Sequence, residues 1–207
     1  MKQLLILMAS LLIGSALVGC SNDGHSTDYK VTCSLDGVMR HDSATLLVYE
    51  QDYDKLRVCA TAHAASDGGF TFEGQTSEPH VALIRWDNDS LNPFYFILEP
   101  GLTTINITSH SWDISGGALN ARYQHYANQR NEIMNQRVAT WQQYLKMAAD
   151  KTLKRDDEQR LVQQDSLLND SLQRITVDHI NRGDAVGRII RERFADQLDQ
   201  EHMRLLK

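Results

Sequence analysis

From Tyr29 to about Gly117, apolar residues alternate with polar ones over short runs; from Leu119 onward they recur every three or four positions. The first period puts side chains on one face of a strand, the second on one stripe of a helix. Val31, Cys33 and Leu35 alternate with polar neighbours, residues 44–50 are an apolar run, and Leu56, Val58 and Ala60 alternate again. Phe70 and Phe72 follow between glycines, then the runs 81–86, 94–98 and 102–108. Turn residues separate them: Asp36-Gly37, Asp67-Gly68-Gly69, Asp87-Asn88-Asp89 and Glu99-Pro100-Gly101. This spacing predicts about seven or eight strands, folded as an antiparallel β-sandwich or a barrel-like sheet.

In the second half, Leu119, Tyr123, Tyr126, Met134, Val138, Trp141 and Leu145 form one helical stripe. The charged stretch 151–160 reads as a helix turn or a solvated face. Leu161, Leu168, Leu172, Ile175 and His179 mark a second helix closed by Gly183. Asp184 is placed to cap a third, whose stripe is Val186, Ile190, Phe194, Leu198 and Leu205;. No proline follows Pro100, which suits unbroken helices;. Tyr123 and Tyr126 are expected to seal the first helix onto the sheet, and His179 to be a partly buried, hydrogen-bonded core residue. The expected class is α+β: a sandwich-like domain over 29–117, then a helical region of about three helices over 118–207.

Ahead of the strands the pattern changes again. Lys2 is followed by an uncharged, mostly apolar run over 4–17. That run is shorter than the roughly 20 residues a membrane-spanning helix needs and has the form of a secretory h-region. It ends in Leu17-Val18-Gly19-Cys20, which resembles the bacterial lipobox. The resemblance implies that Leu17, Val18 and Gly19 are read by the lipoprotein signal peptidase and that the Cys20 sulfur takes a diacylglycerol. The α-amine exposed by cleavage would then be acylated. Residues 1–19 are thus expected to be a lipoprotein signal peptide. Residues 20–28, the lipidated Cys and a small polar run, are expected to be a tether. The expected location is the cell envelope, lipid-anchored to a bacterial membrane. The outer membrane is favoured, with the periplasmic or surface side open.

Several fragments of the β half stand in a familiar order. They are Tyr29-Lys30-Val31, Gly69-Phe70-Thr71-Phe72-Glu73-Gly74, Leu98-Glu99-Pro100-Gly101, and Ile114-Ser115-Gly116 followed by Leu119-Asn120, Tyr123 and Tyr126. Together they resemble the uncharacterised N-terminal domain of many Bacteroidetes-type lipoproteins. That domain often precedes a thioredoxin-like domain of the alkyl hydroperoxide reductase/thiol-specific antioxidant superfamily. Residues 181–187 resemble the helical linker into that second domain. The two-domain relatives carry W-C-x-x-C; this sequence has none and stops at Lys207, where the redox domain would begin. The resemblance therefore implies fold and envelope location and carries over no catalysis.

The full chain has 207 residues, 21 Lys+Arg against 27 Asp+Glu, and a formal charge of −6. With 42% hydrophobic and 23% charged residues it is neither a disordered chain nor a disulfide-dense miniprotein;. Its acidity argues against nucleic acid as a partner.

Besides Cys20 there are two thiols, Cys33 and Cys59, both in strand-like segments. They would form a disulfide if their Cα atoms came within about 7 Å. Otherwise they are separate buried thiols, or a redox pair without the C-x-x-C spacing that lowers a thiol pKa. No H-x-x-x-H, G-x-S-x-G, P-loop or G-x-G-x-x-G is present, so no catalytic, cofactor-binding or metal-ligating residue is expected;. Trp86, Trp112 and Trp141 are expected in core or interface packing, with a ligand cleft as the other reading. Trp86 precedes an acidic turn, as a glycan-stacking residue would.

The expected function is a membrane-anchored envelope lipoprotein acting as a non-catalytic binding or scaffold module. Its partners would be the membrane, through the lipid, and an envelope protein or a glycan. One alternative is an accessory component of periplasmic thiol–disulfide chemistry, with the redox domain absent or on another chain. A second is a glycan-binding lipoprotein.

Overall fold

The computed structural model describes residues 27–37, 40–50, 55–87 and 92–207. Leu17, Val18, Gly19 and Cys20 lie outside the described residues. Eight strands come first: β1 (Asp28–Asp36), β2 (Ser43–Tyr49), β3 (Leu56–His63), β4 (Phe70–Gln75), β5 (His80–Trp86), β6 (Phe94–Leu98), β7 (Gly101–Thr108) and β8 (Trp112–Ser115). They form two separate four-stranded sheets, ordered β4-β1-β7-β8 and β3-β2-β5-β6. This is a sandwich and not a barrel.

One pair departs from the antiparallel expectation. β1 and β7 run parallel, with Val31 opposite Thr103 and Cys33 opposite Ile105. A parallel pair needs a long crossover, and the five strands between them supply it. Alternation turns Val31, Cys33, Phe70, Phe72 and Ile105 of the first sheet toward Leu46, Val48, Ile84, Phe96 and Leu98 of the second. Each such side chain contributes about 1.5–3 kcal/mol when fully buried.

The helices are α1 (Ala118–Ala149), α2 (Arg155–Ile180), α3 (Ala185–Phe194) and the short α4 (Gln200–Met203). They cover the outer face of the second sheet. There Val81 and Ile97 pack against Tyr123, Tyr126, Val177, Ile180, Val186 and Ile190. The layers are therefore sheet, sheet, helices. The outer face of the first sheet is polar: Thr32 Oγ1 bonds Thr104 Oγ1 at 3.3 Å, and Ser34 Oγ bonds Asn106 Oδ1 at 2.7 Å.

The helix ends follow the sequence signals in part. Gly183 adopts φ 69° after α2, and Asp184 accepts from the Gly187 N–H at the start of α3. The charged stretch splits into a turn with Lys151 at φ 56° and the first turn of α2, where Asp156, Asp157 and Glu158 favour the positive end of the helix dipole;. The third stripe is broken. α3 stops at Phe194, a 3-10 turn spans Ala195–Gln197, and Asp199 then caps α4 by accepting from the His202 N–H. Leu198 stays buried while Leu205 is exposed.

The first stripe is also divided. Tyr123 and Tyr126 are buried, but Val138, Trp141 and Leu145 are 50%, 43% and 63% exposed. Beyond Ala127 the only buried residue of α1 is Thr140, and before Leu172 the only buried residue of α2 is Leu161. The α1–α2 hairpin thus outruns the sandwich that its first turns are fastened to. No helix among the described residues is long and apolar enough to cross a membrane.

Candidate functional site

The start of α1 brings together several of the ordered sequence fragments. The Glu99 carboxylate, from the turn after β6, accepts the Leu119 and Asn120 backbone N–H groups at 3.2 Å each. It caps α1 from outside the helix, where the N-cap residue Gly117 has no side chain to do so;. Burial nevertheless pushes the Glu99 carboxyl above its ordinary pKa, against these hydrogen bonds.

Asn120 is wholly buried. Its Oδ1 accepts the Ile97 N–H at 2.9 Å and its Nδ2 donates to the Ile97 carbonyl at 2.8 Å. One turn later the Gln124 Oε1 accepts the Ile114 N–H at 2.9 Å. β6 and β8 are edge strands of the two sheets. Two side-chain amides on one helix therefore satisfy backbone groups that an open edge leaves unpaired. Trp112 stacks on Tyr123 at 5.6 Å between centroids and completes the seal. These motif residues fasten the helices to the sandwich. Tyr126 faces the helices, against His179 and Phe194.

The two thiols do not form a site. Cys33 and Cys59 are free, on β1 of one sheet and β3 of the other. The pairing left open by the sequence is not made. Burial pushes the Cys33 thiol up to about 12 and raises that of Cys59. Trp86 is also unavailable for stacking on a sugar. It is 3% exposed, packs on Phe70 and donates to the Asn92 carbonyl.

Among the histidines, His41 donates from Nδ1 to Asp87 Oδ1 at 2.9 Å. The other Asp87 oxygen accepts the Asp42 and Ser43 N–H groups. The His41 bond, with these backbone donors, holds the Asp87 carboxyl down to about 2. This carboxylate therefore adds stability above its unfolded pKa near 4, and the contribution is lost as the pH falls toward 2. The expected result is that Asp87→Asn flattens the acid limb of a plot of urea midpoint against pH, over about pH 4 to 2. His179 is buried as expected, but its Nδ1 has no partner. Among the described residues no group of acidic, His or Cys side chains could hold a metal ion.

Two features of the helical layer stand out, a cleft and an exposed hairpin. The first is a cleft of about 170 Å³ between α1, α2 and the segment after α3, lined by Arg130, Arg137, Asn169, Leu172, Phe194 and Leu198 among others. Arg137 pairs with both oxygens of Asp165, at 2.8 and 3.2 Å, and donates to Asn169 Oδ1 at 2.9 Å. The Asp165 carboxyl is held below its ordinary range by Arg137. The Arg130 guanidinium lies over the Phe194 ring at 4.4 Å and donates to Gln197 Oε1 at 2.8 Å. Sequence patterning missed this cleft, because its residues are scattered over 130–198 with no local motif.

The second feature is the hairpin. Trp141 and Val162 sit side by side across it. Val138 and Leu145 flank Trp141 at helical spacing on α1;. All four are at least 43% exposed. Trp141 was expected in core or interface packing; it is 43% exposed because no other layer among the described residues reaches this length of the hairpin.

A search of curated proteins finds no match to the chain. A family model does match, over residues 29–123, from the first strand to the buried Tyr123 of α1. The match takes in both sheets, the Glu99 cap and the Asn120 clasp. Residues 29–123 are thus similar to the family described as a domain of unknown function, DUF4369.

Proposed function

We propose that the protein is a membrane-anchored cell-envelope lipoprotein that acts as a non-catalytic docking module. Cys20 carries the lipid, the sandwich is a rigid base, and the α1–α2 hairpin presents a surface to a partner protein. One observation carries this reading: Val138, Trp141, Leu145 and Val162 are exposed together where the hairpin has left the sandwich. Clustered apolar side chains of this kind mark interaction surfaces, and a central Trp is the commonest energetic anchor in them. Aliphatic neighbours around that Trp favour a protein surface over sugar hydroxyls.

The thiol-chemistry alternative is disfavoured by a buried Cys33 whose thiolate is strongly opposed;. The glycan alternative is disfavoured by the burial of Trp86. The anchor has a direct test. Cys20→Ser is expected to abolish labelling by an alkyne fatty acid and to move the protein from the membrane to the soluble fraction. Unchanged labelling would refute it.

A further inference from the structure

We propose that the cleft between α1, α2 and the segment after α3 binds a small organic carboxylate with a short apolar tail. This goes beyond the docking role of the hairpin and uses none of its exposed residues.

The argument begins with hydrogen-bond capacity. Thr176 donates to the Leu172 carbonyl at 2.8 Å, so its oxygen accepts from the Tyr126 hydroxyl at 3.1 Å. Burial raises the pKa of that hydroxyl, and the Arg130 charge acts on it in the lowering direction, more weakly than burial. Arg130 is held from two sides, by Gln197 Oε1 and by the Phe194 ring. It makes no ion pair among the described residues, and its remaining N–H groups have no acceptor there;.

Arg137 spends three of its five donors on Asp165 and Asn169;. Because Asn169 Oδ1 accepts one of these, its amide nitrogen carries two further donors with no acceptor among the described residues;. Each side-chain amide oxygen of the cleft already accepts one hydrogen bond. Gln197 Oε1 holds Arg130, Gln173 Oε1 holds the Asp199 N–H, and Asn169 Oδ1 holds Arg137.

A cleft with spare donors and one guanidinium without a carboxylate partner favours an anion. The planar fork of Arg130 fits the two oxygens of a carboxylate. Leu172, Phe194 and Leu198 supply the apolar wall that a short tail would cover. Pre-set donors of this kind strengthen binding because little side-chain freedom is lost.

The shared chemistry is a carboxylate, and two sources would present it: a free short-chain acid or the C-terminus of a peptide. Calorimetric titration of the full chain in detergent, with butanoate and with acetyl-Ala-Leu, separates them. The C-terminal amide of the same dipeptide is the neutral control. Saturable binding of at least one acid is expected, with the amide tenfold weaker or more and Arg130→Gln weakened at least as much. Arg130→Lys, which keeps the charge without the fork, should fall between. Gln197→Ala, which only frees Arg130, should also weaken binding if Arg130→Gln proves unstable. Equal binding of acid and amide, unchanged binding by Arg130→Gln or Gln197→Ala, or no saturation by either acid up to about 10 mM would overturn the proposal. Those outcomes would leave the hairpin reading intact.

Discussion

Asn120→Ala is expected to destabilise the protein by about 3 kcal/mol and to lower its melting temperature by roughly 10 °C. The side chain is completely buried and holds both the N–H and the carbonyl of Ile97. Ile97 is itself 0% exposed, so water has no ready access to either group. Truncation leaves one donor and one acceptor unpaired in a low-dielectric interior, each costing about 1–3 kcal/mol. Asn120→Asp is the sharper variant. It keeps an acceptor for the Ile97 N–H but sets a carboxylate oxygen against the Ile97 carbonyl. It should be no better than the alanine at neutral pH. Thermal or urea unfolding of the three proteins checks the order. An alanine variant within about 0.5 kcal/mol of the wild type would show that the clasp does not hold the helices to the sheet.

Gly116→Ala is expected to cost at least as much, for a different reason. Gly116 has φ +89°, where L side chains are rarely found, and a Cβ there would lie 1.9 Å from the Leu102 carbonyl oxygen. The obstacle is backbone in β7, so no side chain can swing aside. The turn from β8 into α1 would have to move, and with it the start of the helix that covers the β6 and β8 edges. A loss of about 3 kcal/mol or more follows from strain and displacement together. Gly68→Ala is the control. Its φ is +82°, but nothing lies within 4 Å of the added Cβ. It should show only the conformational cost, about 1–2 kcal/mol. Equal losses at the two positions would mean that the close approach of Leu102 is not what requires Gly116.

These two residues show how much of the fold could be read before seeing it. Strand positions were legible because alternation is local: Val31, Cys33, Phe70 and Phe72 point inward as their spacing implies. Pairing was not legible, because the parallel match of β1 with β7 depends on how the whole chain returns. The α1 stripe is apolar as its spacing implies, but Tyr123 and Tyr126 are buried while Val138, Trp141 and Leu145 are exposed. Periodicity reports which side chains share a face, not whether a layer extends far enough to bury them. The end of α3 had a signal in Asp199, a capping residue inside what looked like one stripe. Asn120 and Glu99 stood out as parts of a shared motif, but their roles depend on partners about 20 residues away. The carboxylate cleft had no sequence signature. Its arginines on α1 meet Asn169 and Phe194 only after the helices fold back on one another.

The docking reading joins these parts: a sandwich closed at its edges by α1, and a hairpin that carries its apolar residues beyond the closed core. It is tested most directly by site-specific photocrosslinking in cells that make the full chain. A photoreactive residue at Leu145, 63% exposed on the hairpin, is compared with one at Thr104 on the polar outer face of the first sheet. The account predicts a discrete crosslinked partner from position 145, lost when Trp141→Asp is added, and none from position 104. Crosslinks from position 104 alone, or the same yield from 145 with and without Trp141→Asp, would contradict it.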